Sequence, residues 1–207
     1  MVDPTYRLAG APAPALRRKA DLDGPDFFPT PAWATHALCE VESFAGTIWE
    51  PACGDGAMAE VLRARGYQVE ASDLFDRGYG QTGVDFLTTD RRVPNIVSNP
   101  PYNSAEGFIT SALRQAEGKV AFLLRLAFLE GSSRGSGLFK TNPPSHVHVF
   151  SERVTFAPAG VTLTNGGTTA YGWFVWDRET DGPTVLSWIP VGLRKRFSAP
   201  DPLPLFA

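Results

Sequence analysis

Apolar residues recur at helical spacing over residues 33–44, with Thr30 placed as N-cap, Pro31 at the first helical position and Gly46 as the stop. A strand-turn-helix unit follows: 47–51 reads as a short strand, ACGDG as a turn, and 57–65 as a helix that Gly66 ends. Residues 67–72 alternate as a second strand that finishes at Asp73, and Asp85-Phe86-Leu87 closes a glycine-spaced loop at the next strand end. The pattern then predicts a strand at 95–98, a helix at 105–116, a buried strand at 119–126 (KVAFLLRL) and another strand at 146–150. Residues 171–177 (YGWFVWD) and 184–189 are expected to pair as a hairpin across the Asp181-Gly182 turn. Alternating strands and helices argue for an α/β domain with a mainly parallel sheet, to which the hairpin adds an antiparallel edge.

The segments between these elements set the domain limits. Residues 1–25 are rich in Pro, Ala and Gly and read as a flexible arm, 26–198 as a single domain and 199–207 as an irregular tail. Residues 130–145 (EGSSRGSGLFKTNPPS) read as a mobile surface loop.

Composition narrows the class. The 207 residues are 43% hydrophobic and 20% charged, which fits an ordinary globular domain able to bury a core without staples. A net charge of -3 argues against a protein that coats nucleic acid by charge alone, while leaving room for one basic face. Two basic clusters, Arg17-Arg18-Lys19 and Arg194-Lys195-Arg196, read as solvated terminal segments. Cys39 and Cys53 suggest neither a disulfide framework nor a metal site, and no signal peptide or membrane-length apolar run is seen, so a cytoplasmic location is expected. His146 and His148 alternate on one strand, a spacing that fits a strand face better than a metal site, and no metal is expected.

Candidate chemistry sits at predicted strand ends. In WEPACGDGAMAEVL (49–62), Gly54 and Gly56 allow a ligand close to the backbone, and Glu50 offers a carboxylate to an ammonium group. The dinucleotide fingerprint G-x-G-x-x-G is absent, because Ala59 stands at its third glycine. Asp73, about twenty residues on, is placed to bind ribose hydroxyls. Asp85-Phe86 offers a carboxylate and an apolar wall to an adenine. Each of these alone is equally a turn, a cap or a core residue. The run NIVSNPPYN (95–103) is more pointed: a buried strand stops at an amide, two residues with fixed φ and no N–H, and an aromatic ring.

These motifs in this order resemble the S-adenosylmethionine-dependent amino-methyltransferases with an [N/D/S]PP[Y/F/W] motif, and most of all the compact, phage-type DNA adenine-N6 methyltransferases. The resemblance spans roughly residues 27–177. It implies a Rossmann-like class I methyltransferase with a mainly parallel seven-stranded sheet and an antiparallel edge hairpin. It implies that Thr30 (in FPTP, 28–31), Glu50, Pro51, Cys53, Gly54, Asp73, Asp85 and Phe86 surround S-adenosylmethionine. It implies that Asn99, Pro100, Pro101 and Tyr102 hold an adenine flipped out of DNA. The Asn99 oxygen and the Pro100 carbonyl would grip the two N6 protons while Tyr102 stacks on the ring. A chain of this length leaves no room for a sizeable target-recognition domain. DNA contacts are therefore expected from Arg77, Arg134, Lys140 and the basic termini, with a homodimer as one source of specificity. The same motif serves enzymes that methylate RNA bases or a protein glutamine. A non-catalytic nucleotide-binding module is the alternative of a different class.

Overall fold

Ile96 and Val97, the run 120–124 and the run 171–176 are buried residue after residue. Strands of that kind need a covering layer on each face. The computed structural model describes residues 28–156 and 167–198 and supplies both layers. Its elements are α1 (Ala32–Val41), β1 (Ile48–Glu50), α2 (Ala57–Ala64), β2 (Val69–Ala71), β3 (Asn95–Ser98), α3 (Ala105–Gln115) and β4 (Lys119–Arg125). They continue with α4 (Ser132–Ser136), α5 (Leu138–Thr141), β5 (His146–Phe150), β6 (Tyr171–Asp177), β7 (Val185–Ile189) and α6 (Leu193–Ser198).

The strands form one seven-stranded sheet in the order β2-β1-β3-β4-β6-β5-β7. Alternation along β4 assigns its faces. Ala121 and Leu123 join Trp33, Leu38, Met58, Leu62 and Trp173 on one side, while Val120, Phe122 and Leu124 join Phe108, Ile109, Phe174 and Trp176 on the other. The sheet is thus mixed and doubly covered, with α1 and α2 on the first face and α3 on the second.

The expected edge hairpin does not form. β5 lies between β6 and β7, antiparallel to β6 and parallel to β7, so β6 alone runs against the rest of the sheet. The cause is burial. The first six residues of β6 are buried and require a strand on either side, whereas β7 exposes Val185, Leu186 and Trp188 and suits the edge.

Three smaller expectations are also corrected. α1 stops at Val41, and its cap is Pro31 in an extended conformation; Thr30 does not serve as N-cap. Residues 85–87 form a turn closed by hydrogen bonds from Leu87 N to Asp85 Oδ1 and from Thr89 N to the Asp85 carbonyl. The 130–145 segment carries α4 and α5, pinned by the buried Leu138. The second basic cluster, Arg194-Lys195-Arg196, is exposed, in keeping with a solvated segment, and lies on α6, where Arg196 pairs with Glu40 at 3.3 Å. The readings of residues 1–25 and 199–207, including the first basic cluster, fall outside the described residues.

Candidate active site

Because β1, β2 and β3 are parallel, their carboxyl ends open at one edge of the sheet. Glu50 ends β1, Asp73 lies just past β2 and Asn99 follows β3. Together they line a cavity of about 250 Å³. This is where an open α/β sheet binds ligands.

The glycine turn shapes one wall. Gly54 and Gly56 have φ of 57° and 86°, which a side chain resists. A Cβ on Gly56 would also lie 2.5 Å from the Tyr79 ring, which folds the 74–81 segment over the turn. Tyr79 is held there by its hydroxyl, which donates to Glu60 Oε1 at 2.5 Å. Gly54 is not itself in the wall. Its N–H donates to Asp73 Oδ2 at 2.9 Å, and Phe75 N–H donates to Asp73 Oδ1 at 2.9 Å. Two backbone donors therefore fix the Asp73 carboxylate, and each oxygen keeps a further lone pair for a hydroxyl.

Glu50 is 2% exposed. Burial pushes its pKa well above the usual carboxylate range, with Asp73 and Asp55 adding repulsion and the Ala59 N–H at the start of α2 opposing them. Its Oε2 is buried with no hydrogen-bond partner among the described residues. A buried carboxylate oxygen of this kind fits a ligand cation. Cys53 lies beside it. Burial, then the Glu50 and Asp73 carboxylates, raise its thiol to about 12, so it is a neutral wall and not a nucleophile.

Phe86 is 2% exposed and packs on Trp49 and Phe108 at ring separations of 5.1 and 5.0 Å. It is at once core and cavity wall. Pro51 and Asp85 also line the cavity, as do the exposed Leu74, Phe75 and Leu87, which the sequence reading passed over. Their one sequence signal is an apolar pair, Leu74-Phe75, directly after the strand-end acid.

At the other wall, Asn99 Nδ2 donates to Thr30 Oγ1 at 3.1 Å. Thr30 is thereby an orienting group for Asn99 as well as a lining residue. Asn99 Oδ1 is left buried with no hydrogen-bond partner among the described residues. Pro100 and Pro101 continue the wall, and Pro101 caps the short 3₁₀ turn that holds Tyr102. The Tyr102 ring has the Arg125 guanidinium 4.6 Å from its centre and Tyr171 at 6.0 Å. Tyr171 continues through Phe156 to Phe28, an aromatic row that binds the segment before α1 to β6.

Of the expected DNA-contact residues, Arg77 lines the cavity, with its guanidinium 5.7 Å from the Phe75 ring. Arg134 is outside it and directs its donors to the carbonyls of Phe128 and Glu130. Lys140 is exposed on α5, away from the cavity wall.

No family model and no curated protein matches the chain. Solved structures do. A candidate class I S-adenosylmethionine-dependent methyltransferase from Listeria monocytogenes is 17% identical with a TM-score of 0.53, over 77% of this chain and 65% of its own. The modification subunit of a candidate type I restriction enzyme from Vibrio vulnificus YJ016 is 17% identical with a TM-score of 0.55, over 84% and 50%. A type I restriction-modification methyltransferase subunit from Streptococcus thermophilus is 14% identical with a TM-score of 0.55, over 76% and 46%. The fold is that of the Rossmann-like class I methyltransferases. The chain spans 65%, 50% and 46% of the lengths of these three proteins. Among the described residues no helix is long and apolar enough to cross a membrane.

Proposed function

We propose that the protein is an S-adenosylmethionine-dependent methyltransferase acting on the N6 amino group of adenine in DNA. The observation that carries this reading is the Asn99 side chain. Its amide nitrogen is tied to Thr30, so its oxygen is fixed as an acceptor in the cavity wall with nothing to accept from the described residues. A buried acceptor left open in this way costs about 1–3 kcal/mol, a cost that a substrate N–H removes.

The remaining residues fit the cofactor part by part. Glu50 offers its unpartnered oxygen to the amino-acid ammonium, Asp73 its fixed carboxylate to the ribose, and Asp85 and Phe86 an acceptor and a wall to the adenine. Bound there, S-adenosylmethionine supplies a methyl group on a sulfonium centre. The chain's own task is to prepare the nitrogen. Adenine N6 is a poor nucleophile because its lone pair is delocalised into the ring. Asn99 Oδ1 and the Pro100 carbonyl grip its two N–H groups and pull it towards tetrahedral geometry, and the two prolines keep the second acceptor rigid. Tyr102 stacks on the extruded base, and Arg125, a flat cation on that ring, yields its place to it. DNA as substrate is supported by the two restriction-modification subunits that share the fold, with Arg77 and Lys140 offered to its backbone. An RNA base is the competing substrate, since a candidate RNA methyltransferase from Pyrococcus horikoshii also shares the fold at a TM-score of 0.50.

Transfer of tritiated methyl to DNA, RNA and protein, with nucleoside analysis of the product, tests the reading. Label is expected in N6-methyladenine of DNA. Asn99→Ala should lower the rate by about 10²–10³ while calorimetric affinity for the cofactor holds, as expected for loss of one preorganised acceptor. Label in RNA or protein alone, or an unchanged rate in Asn99→Ala, would overturn it.

A further inference from the structure

A second set of polar side chains gathers at the opposite edge of the sheet. β4 and β5 begin there and β6 ends there, which places Lys119, His146 and Asp177 together. The residue that closes α1, Glu42, joins them. His146 and His148 lie on one face of β5 with rings stacked 5.6 Å apart and 13° from parallel. Glu42 Oε1 is 2.8 Å from His148 Nε2 and 3.6 Å from His146 Nδ1. The ligating atoms of all three lie within 4.8 Å of one another.

Three features set this cluster apart from a plain ion pair. His146 Nδ1 is buried and has no hydrogen-bond partner among the described residues. The two Glu42 oxygens are divided: Oε2 takes the Lys119 ammonium at 2.6 Å, which leaves Oε1 to the two imidazoles. The far nitrogen of His148, Nδ1, is 2.6 Å from Ser187 Oγ, an outer partner of the kind that orients metal-binding histidines.

We propose that Glu42 Oε1, His146 Nδ1 and His148 Nε2 form a structural site for one divalent cation, Zn²⁺ by its donor set. Ligands about 2.0–2.1 Å from a tetrahedral ion stand about 3.3 Å apart. The 2.8 and 3.6 Å separations bracket that spacing. Two imidazoles and one carboxylate suit Zn²⁺ better than Mg²⁺ or Ca²⁺, which take oxygen. With neutral imidazoles, Glu42 and Asp177 against Lys119 leave one negative charge, so an entering dication meets no net repulsion. The ion replaces the proton between His148 Nε2 and Glu42. His148 then carries its proton on Nδ1 and donates it to Ser187 Oγ, and water fills the fourth position. The bound ion ties the end of α1 to β5. β4 alone separates this end of the sheet from the cavity by about 20 Å, so the ion takes no part in the chemistry proposed there.

The full chain, stripped by a chelator, is titrated with Zn²⁺ by calorimetry and with Co²⁺ by visible absorption. One ion per chain at micromolar affinity or tighter is expected, with a Co²⁺ band of nitrogen-oxygen coordination and a raised melting temperature. His146→Gln should weaken binding by more than the about 10–100-fold that loss of an outer partner costs. Since His146 Nδ1 has no hydrogen bond to lose among the described residues, the metal-free variant should melt close to the metal-free parent, losing only the ring stacking on His148. His36→Gln, remote from the cluster, should bind as the parent does. Millimolar binding in the parent, or equal affinity in His146→Gln, would overturn the site and leave an ion-paired cluster.

Discussion

At the end of β1, Glu50 keeps a carboxyl group where water does not reach it, and the fold raises its pKa by burial. A folded pKa above the unfolded value means the native state binds the proton more tightly, so stability falls as pH rises from the ordinary carboxylate range towards the folded value. At neutral pH the ligand-free protein therefore carries a cost at this residue, which the cofactor ammonium of the proposed function would relieve. Glu50→Gln removes the charge and keeps an acceptor for the Ala59 N–H. It should raise the melting temperature of the ligand-free protein by about 2–4 °C, equivalent to about 1 kcal/mol in a chain of this size. If the proposed function holds, S-adenosylmethionine should raise the melting temperature of the parent, and the same variant should shrink that rise. A variant that melts lower than the parent and responds equally to the cofactor would remove Glu50 from the cofactor's ammonium. Glu50 was legible in the sequence because a carboxylate at a strand end before a glycine turn is a local pattern. Thr30 was legible as a lining residue only. Its bond to Asn99 crosses 69 positions and appears in no local pattern.

The elements that hold the cavity open are joined by buried polar contacts. The indole N–H of Trp49 on β1 donates to Ser72 Oγ just past β2 at 2.9 Å, and Cys53 N–H donates to the Ser72 carbonyl at 2.9 Å. Ser72→Ala leaves the indole N–H buried and unpaired, so urea unfolding should show a loss of about 1–3 kcal/mol. In the Trp49→Phe background the same change should cost less, because no indole remains to be orphaned; the double-mutant cycle measures the difference. Equal costs in both backgrounds would show that the contact contributes nothing beyond packing. At this scale periodicity located all seven strands and the three longer helices α1, α2 and α3, missed the short α4, α5 and α6, and erred where it had to choose neighbours. The 171–177 and 184–189 runs look like a hairpin because a turn lies between them. Pairing goes instead to the arrangement that covers both faces and both edges of β6, which inserts β5.

At the scale of the whole molecule, the edge of the sheet remote from the cavity carries a charged cluster of Glu42, Lys119 and Asp177. Burial works against the Glu42 carboxylate, but hydrogen bonds from His148 and Lys119 and the charge of Lys119 outweigh it and hold its pKa below the usual range. Burial likewise opposes the Lys119 ammonium, and Glu42 and Asp177 outweigh it and hold its pKa above the usual range. A depressed carboxylate contributes stability that is present above about pH 4.3 and lost as pH falls through the folded value; a raised lysine contributes below about pH 10.4 and loses it as pH rises further. In metal-free buffer, Glu42→Gln should therefore lower unfolding free energy by about 1.5–3 kcal/mol near neutrality, since Lys119 loses its nearer charged partner and keeps only Asp177 at 3.4 Å. The gap between variant and parent should close as the solution is made acid. A gap that stays constant to about pH 3 would mean that the loss is one of packing and not of charge.

The sequence by itself determined that Glu50, Asp73, Asn99 and Tyr102 reach the cavity, though not that Leu74, Phe75 and Leu87 do. Strand runs end where polarity begins, glycines mark the turn that only they tolerate, and Pro-Pro stops a strand wherever it stands; all of these are properties of a few adjacent residues. The tertiary structure alone decided what those residues touch. It set Thr30 against Asn99, placed β5 between β6 and β7, and brought Glu42 to His148 across 106 positions. Such contacts follow from which buried faces can be covered together, a condition met by the folded chain as a whole and written in no single stretch of it.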